Sequence, residues 1–188
     1  VITVAAFGEI EEGKAIRRSG ARPGDIVAVS HTIGNSSGGL AVLLQNHDGY
    51  SQLKRAHRFP VPQVELGRLL VKYNCHSLND ISDGLASESN EIAKASDVRL
   101  VLKKEAIPVS DELKAWARES KTNVWKYVFN GGEDYELIFT MEPADFHALQ
   151  AEYSDVTQIG VVRSGSGDVL LVDGDSESIL APTGWTHF

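Results

Sequence analysis

The sequence predicts a mixed α/β (α+β) fold, a sheet flanked by helices, on three observations. Apolar β-branched runs and helix-period stripes interleave at both ends of the 188-residue chain. Turn signals lie among them, and no repeat, low-complexity tract or interdomain linker breaks the pattern. That length suffices for one sizeable core, so a single domain over residues 1–188 is expected.

Residues 1–7 are β-branched and apolar and read as a strand ended by Gly8, with a second strand over residues 9–18 turned at Glu12 and Gly13. Pro23 and Gly24 suit the central positions of a type II turn, because proline presets its own φ and glycine accepts a positive one. Residues 26–29 follow as a short buried strand. Residues 30–39, rich in Ser, Gly and Asn, read as a loop entering a helix over residues 40–44, and residues 46–57 are polar and expected to be exposed. After the extended connection Phe59-Pro60-Val61-Pro62, the residues Val64, Leu66, Leu69, Leu70 and Tyr73 give a helix one apolar stripe. Residues 86–96 read as a helix with Leu85, Ile92 and Ala93 turned inward, and residues 98–102 as a strand. Ser110-Asp111-Glu112 starts a capped helix that packs Trp116 inward. Residues 137–140 form a strand, Pro143 opens a helix to Tyr153, and residues 156–162 form a strand that Ser164-Gly165-Ser166-Gly167 turns, as a hairpin, into residues 169–172.

The densest chemistry lies in Asp80-Ile81-Ser82-Asp83-Gly84-Leu85. Two carboxylates three residues apart flank a hydroxyl, and a glycine leads into a helix. Several oxygens thus share one bend at a helix entrance, as a hard cation carrying phosphates requires. Capping by Ser82 or Asp83, with Gly84 as a turn residue, accounts for the same residues equally well. A second stretch, Asn130-Gly131-Gly132-Glu133-Asp134-Tyr135-Glu136, sets two glycines and three acids at the mouth of an apolar strand, or is a turn with solvated acids. The small-residue loop at 30–39 either presents backbone N–H groups to an anion or is a plain tight connection, and it has neither Walker spacing nor GxGxxG.

Twenty-six acidic against 18 basic residues give a net charge of −8, which argues against a bulk electrostatic grip on nucleic acid or an anionic membrane. Nucleotide binding through a divalent cation stays open. Cys75 is the single cysteine, so an internal disulfide is excluded and a cytoplasmic home is expected. No apolar run approaches the ~20 residues of a membrane helix. The chain opens on Val1 rather than Met and already reads as strand there, as a piece of a longer protein would.

Five blocks, namely Arg18-Ser19-Gly20-Ala21-Arg22-Pro23-Gly24-Asp25, the loop from Gly34 to Leu40, Asp80-Ile81-Ser82-Asp83-Gly84-Leu85, Gly131-Gly132-Glu133-Asp134-Tyr135-Glu136-Leu137 and the closing Gly184-Trp185-Thr186-His187-Phe188, together resemble thiamine-monophosphate kinase. The resemblance runs in order and spacing along nearly the whole chain. It implies the C-terminal α/β domain of the aminoimidazole ribonucleotide synthetase superfamily, without the N-terminal ATP-binding domain, and a homodimer for the full protein. The implied reaction moves the γ-phosphoryl group of ATP to thiamine monophosphate with Mg²⁺, the isolated domain being inactive. On that resemblance Asp80 and Asp83 would be catalytic Mg²⁺ ligands and Ser82 would contact ATP. Lys14, Arg17 and Arg18 would reach ATP phosphates or remain solvated surface charges. Glu133 and Asp134 would contact thiamine monophosphate, and Trp185 would close over its rings, an aromatic face suiting a thiazolium charge.

Two residues depart from the family pattern. His31 stands where relatives usually carry glycine, and Gln63 where a basic residue is expected. They leave room for a changed substrate, for a paralogous synthetase of the aminoimidazole ribonucleotide or selenophosphate type, or for a non-catalytic binding or assembly domain.

Overall fold

A computed structural model describes residues 3–183. The molecule is built about β1 (Ile26–Ser30), all five of whose residues are buried. Its pleat sends Val27 and Val29 into one core and Ile26 and Ala28 into another, so the strand reads as a continuous apolar run rather than an alternation. The other strands are β2 (Ser77–Asp80), β3 (Val98–Lys103), β4 (Leu137–Met141), β5 (Val156–Ser164), β6 (Asp168–Asp173) and β7 (Ser176–Ile179). They form one seven-stranded sheet in the order β2-β4-β1-β5-β3-β6-β7, antiparallel throughout except for the β3–β6 pair.

The helices are α1 (Asn35–Leu44), α2 (Ser51–Arg58), α3 (Val64–Lys72), α4 (Leu85–Ser96), α5 (Asp111–Glu119), α6 (Val124–Asn130) and α7 (Pro143–Glu152). Helices α1, α2, α4, α5 and α6 share the larger core, where Leu53, Leu85, Leu113, Trp116 and Phe129 pack over Val27, Val29 and Ile138. On the opposite face, Leu66 and Leu70 of α3 and Phe146 and Leu149 of α7 cover Ile26, Ala28, Phe139 and Met141. A mixed sheet with helices on both faces is the expected class. The turn at Pro23 and Gly24 forms, with Asp25 N–H donating to the Arg22 carbonyl, and Ser110 caps α5 by accepting from Leu113 N–H at 3.2 Å.

Four expectations are corrected. Residues 3–17 form no strand and leave Val4, Phe7 and Ile10 exposed. A β pattern needs a partner, and among the described residues this segment reaches the sheet edge through one backbone bond, from Leu78 N–H to the Arg17 carbonyl. The loop at 30–39 is shorter than expected, since α1 already begins at Asn35. Gly39 belongs to the helix because α1 presses against α2 there, and an added β-carbon would fall inside the contact radius of the Leu53 carbonyl. The polar stretch at 46–57 contains α2, anchored by one buried residue, Leu53, whose N–H donates to the Glu112 carboxylate at 2.8 Å. Finally, β5 and β6 do not pair as a hairpin: β3 lies between them, and the turn crosses its end with Gly167 N–H bonded to the Val98 carbonyl.

Candidate active site

At the end of β2 the chain turns through residues 81–84 into α4 and is held there by the second acidic motif. Ile81 N–H donates to the Glu136 carbonyl at 2.7 Å, Tyr135 N–H to the Ile81 carbonyl at 2.9 Å, and Glu133 N–H to the Ser82 carbonyl at 2.8 Å. Two stretches some fifty positions apart are thereby laid side by side. Gly84 makes the bend with φ +102°, a backbone state that disfavours any β-carbon, and such an atom would stand 2.6 Å from the Phe129 carbonyl. No side chain caps α4 at Gly84, so the plain capping role for Ser82 or Asp83 is not the one they play.

Ser82, Asp83, Gly131, Gly132 and Glu133 line one cavity of about 510 Å³, together with Ser37, Leu40, His57, Asn130 and Tyr135. Asp80 stands at the exposed end of β2, outside that wall. His57 lies at the end of α2 with Nδ1 3.1 Å from Ser36 Oγ and 3.8 Å from the Glu133 carboxylate, and was missed because its stretch read as plain exposed polar chain. Thr183, the last described residue, donates to Asn130 Oδ1 at 2.7 Å. Trp185 lies outside the described residues.

Three titratable groups around the loop are shifted. Glu88, on α4, is buried and pushed up to about 7, first by desolvation and also by the charges of Asp83 and Asp80. Asp134 is likewise pushed up to about 7 by desolvation, against the hydrogen bonds it accepts from Gly34 N–H (2.5 Å) and Ser36 N–H (2.9 Å). The anion facing the N–H groups of the loop before α1 is therefore the chain's own Asp134. Its carboxylate, expected as a substrate contact, is engaged with those two N–H groups, and Asp134 is not among the residues lining the cavity. His31, at φ +42°, is held by its Nδ1 contact to Glu136 at 2.9 Å, which raises its pKa above the ordinary value against the effect of burial.

The basic candidates also lie elsewhere. Lys14 and Arg17 line a separate cavity of about 230 Å³ with Asn74 and His76. Arg18 Nε donates to Asn79 Oδ1 at 3.0 Å, with its guanidinium 3.9 Å from Glu91, so it engages the back of the loop rather than the cavity. Gln63 bonds the neighbouring Val61 carbonyl.

Among the described residues no group of three or more His, Cys, Asp or Glu is placed to hold a metal ion. Asp80 and Asp83 provide two hard carboxylates whose charges both reach Glu88. That donor set fits Mg²⁺, which takes one or two carboxylates and completes its shell with phosphate oxygens and water.

A sheet of this order covered on both faces, with an acidic loop at the mouth of a cavity, defines the class. Residues 22–173 match the family "AIR synthase related protein, C-terminal domain", and the chain belongs to that family. Within it the likeness is to thiamine-monophosphate kinases. That of Bacillus subtilis (strain 168) is 36% identical over 199 residues, covering all of this chain and 60% of the relative. That of Aquifex aeolicus (strain VF5) is 36% identical over 191 residues, covering all of this chain and 58% of the relative. A solved structure described as AaThiL complexed with AMPPCP and TMP superposes with a TM-score of 0.80 at 36% identity, covering 92% of this chain and 54% of that one. The chain thus spans somewhat more than half the length of the relatives it matches. Hydrogenase maturation protein HypE in complex with ATP, at 21% identity and TM-score 0.73, shares the fold. No helix among the described residues is long and apolar enough to cross a membrane.

Proposed function

We propose that this chain is the C-terminal domain of a thiamine-monophosphate kinase. The full protein would carry the γ-phosphoryl group of ATP to the terminal phosphate of thiamine monophosphate, yielding thiamine diphosphate and ADP. The observation that carries this reading is the meeting of two motifs in one cavity, Ser82 and Asp83 from one and Gly131, Gly132 and Glu133 from the other. The likeness to thiamine-monophosphate kinases over the whole chain, one solved with AMPPCP and TMP, supports the substrate pair.

Phosphoryl transfer asks the protein for positioning and charge compensation more than for covalent chemistry. Asp80 and Asp83 would hold Mg²⁺, which when bound offsets the charge on the phosphate oxygens. Ser82 offers a hydroxyl donor to the nucleotide from the cavity wall. Glu133 turns a solvent-facing carboxylate, beside His57, toward a cationic substrate. Trp185 supplies the aromatic face for the thiazolium ring. The remaining metal ligands and the bulk of the ATP surface would belong to an N-terminal ATP-binding domain of the same protein, a homodimer working in the cytoplasm, and the 188-residue domain assayed alone is expected to show no turnover.

In the full protein, Asp80→Asn and Asp83→Asn each lower kcat/KM for thiamine monophosphate by about 100-fold or more, as expected when a group stabilising transition-state charge is lost. Steady-state kinetics measures this, and unchanged turnover in both variants removes the site assignment.

A further inference from the structure

Glu88 is a buried carboxyl that no part of the proposed reaction uses, yet it is bonded to the loop that the reaction depends on. It sits one turn into α4 and is 4% exposed. One carboxylate oxygen, Oε1, accepts from Asp83 N–H at 3.2 Å and from Ser82 Oγ at 3.5 Å. The other, Oε2, accepts from Asn79 Nδ2. Asn79 is itself buried, and its Oδ1 accepts from Arg18 Nε at 3.0 Å. Arg18 is fixed in turn, because its carbonyl accepts from Ser96 Oγ at the far end of α4, and that hydroxyl receives Gly20 N–H and Ala21 N–H, each at 3.1 Å. Donation therefore converges on the Glu88 carboxylate from two sides, from Arg18 through Asn79 onto Oε2 and from the backbone of Asp83 onto Oε1.

We propose that Glu88 is a positioning residue that, oriented by Asn79 and Arg18, fixes where Asp83 presents its carboxylate to the divalent cation. The inference rests on the reading of Asp80 and Asp83 as metal ligands, but not on the identity of the phosphoryl acceptor. The hydrogen-bond polarity gives the reason for Glu at position 88. In the ionised form of Glu88 both carboxylate oxygens accept, which matches the two donors Asp83 N–H and Asn79 Nδ2. A glutamine there sets an NH₂ group against one of those donors. Replacing Asn79 by aspartate at the same time restores the match. The amide introduced at position 88 then donates to the carboxylate introduced at position 79, whose second oxygen still accepts from Arg18.

The test is Mn²⁺ titration of the full protein with a non-hydrolysable ATP analogue, read by electron paramagnetic resonance, with thermal melting alongside. No phosphoryl acceptor is present, so failure of the thiamine reading and failure of this one are distinguishable. Glu88→Gln is expected to weaken Mn²⁺ binding by roughly 10-fold, the scale of losing a group that orients a metal ligand. The double variant Asn79→Asp with Glu88→Gln is expected to return within about threefold of wild type, judged against that scale. Wild-type Mn²⁺ affinity in Glu88→Gln overturns the proposal, as does a melting temperature lowered without any change in affinity. Should Glu88→Gln fail to fold, the double variant decides alone: wild-type affinity supports the relay, and a loss of about 10-fold overturns it.

Discussion

Asp134 shows how a single desolvated carboxylate shapes the behaviour of this protein. It serves as the acceptor for two N–H groups at the start of α1, at the expense of its own solvation. Because its folded pKa is raised from 3.8 to about 7, the folded state keeps a proton that the unfolded state releases, and stability falls as pH rises between those values. Glu88, raised from 4.5 to about 7, acts in the same direction over the upper part of that window. His31, raised above 6.5, contributes stability that is fully present below 6.5 and lost as pH climbs through its folded value. Urea denaturation from about pH 5 to about pH 8, above the acid range in which the lowered carboxylates Glu119, Glu152 and Asp168 act with the opposite sign, should therefore show stability declining with pH. Asp134→Asn should flatten part of the slope while lowering stability near the acid end by about 1–3 kcal/mol, because an amide leaves one of the two N–H groups unpaired. An unchanged slope in this variant would contradict that role. Glu136→Gln should bring the His31 titration back down, as followed by NMR, since Glu136 is the main cause of its rise. A His31 midpoint that stays raised would remove the pair as its cause.

At the scale of elements, what the sequence revealed depended on whether a segment carried its own reason for its structure. Residues 26–29, the Pro23 turn, the Ser110 cap and the stripe on α3 were legible because each depends on near neighbours. Helix α2 was not, because it has one buried residue, Leu53, and its helicity is supported by packing on α1 and by Glu112 fifty-nine positions away. The β5–β6 hairpin was misread for the same reason: the turn signal is local, but the insertion of β3 between the strands is not. In the site, the loop at 80–84 and Glu133 were legible as motifs. His57, Glu88 and the occupation of the α1 loop by Asp134 follow only from tertiary contact. The α1–α2 contact yields its own prediction. Gly39→Ala places a methyl group into the Leu53 carbonyl, backbone that cannot rotate away, and should destabilise the fold by about 1–3 kcal/mol, the usual penalty for overpacking. A melting temperature equal to wild type would show that α1 and α2 have more freedom than their packing implies.

The whole molecule joins two cores through one sheet, and the site opens where β2 leaves that sheet for α4. One edge of the site is well built. Its loop is tied to residues 133–136 on one side and to Glu88 on the other. On the proposed reading, its two carboxylates would leave most of a Mg²⁺ shell to be supplied by phosphates, water and ligands from elsewhere in the full protein. The most direct test is the rate at which the full protein forms thiamine diphosphate and ADP from thiamine monophosphate and ATP with Mg²⁺, wild type against Asp83→Asn. One-to-one product formation is expected from the wild type, with a loss of about 100-fold or more in a variant that melts at the wild-type temperature. A wild type that forms no thiamine diphosphate, or an Asp83→Asn protein that forms it at the wild-type rate, would contradict this reading.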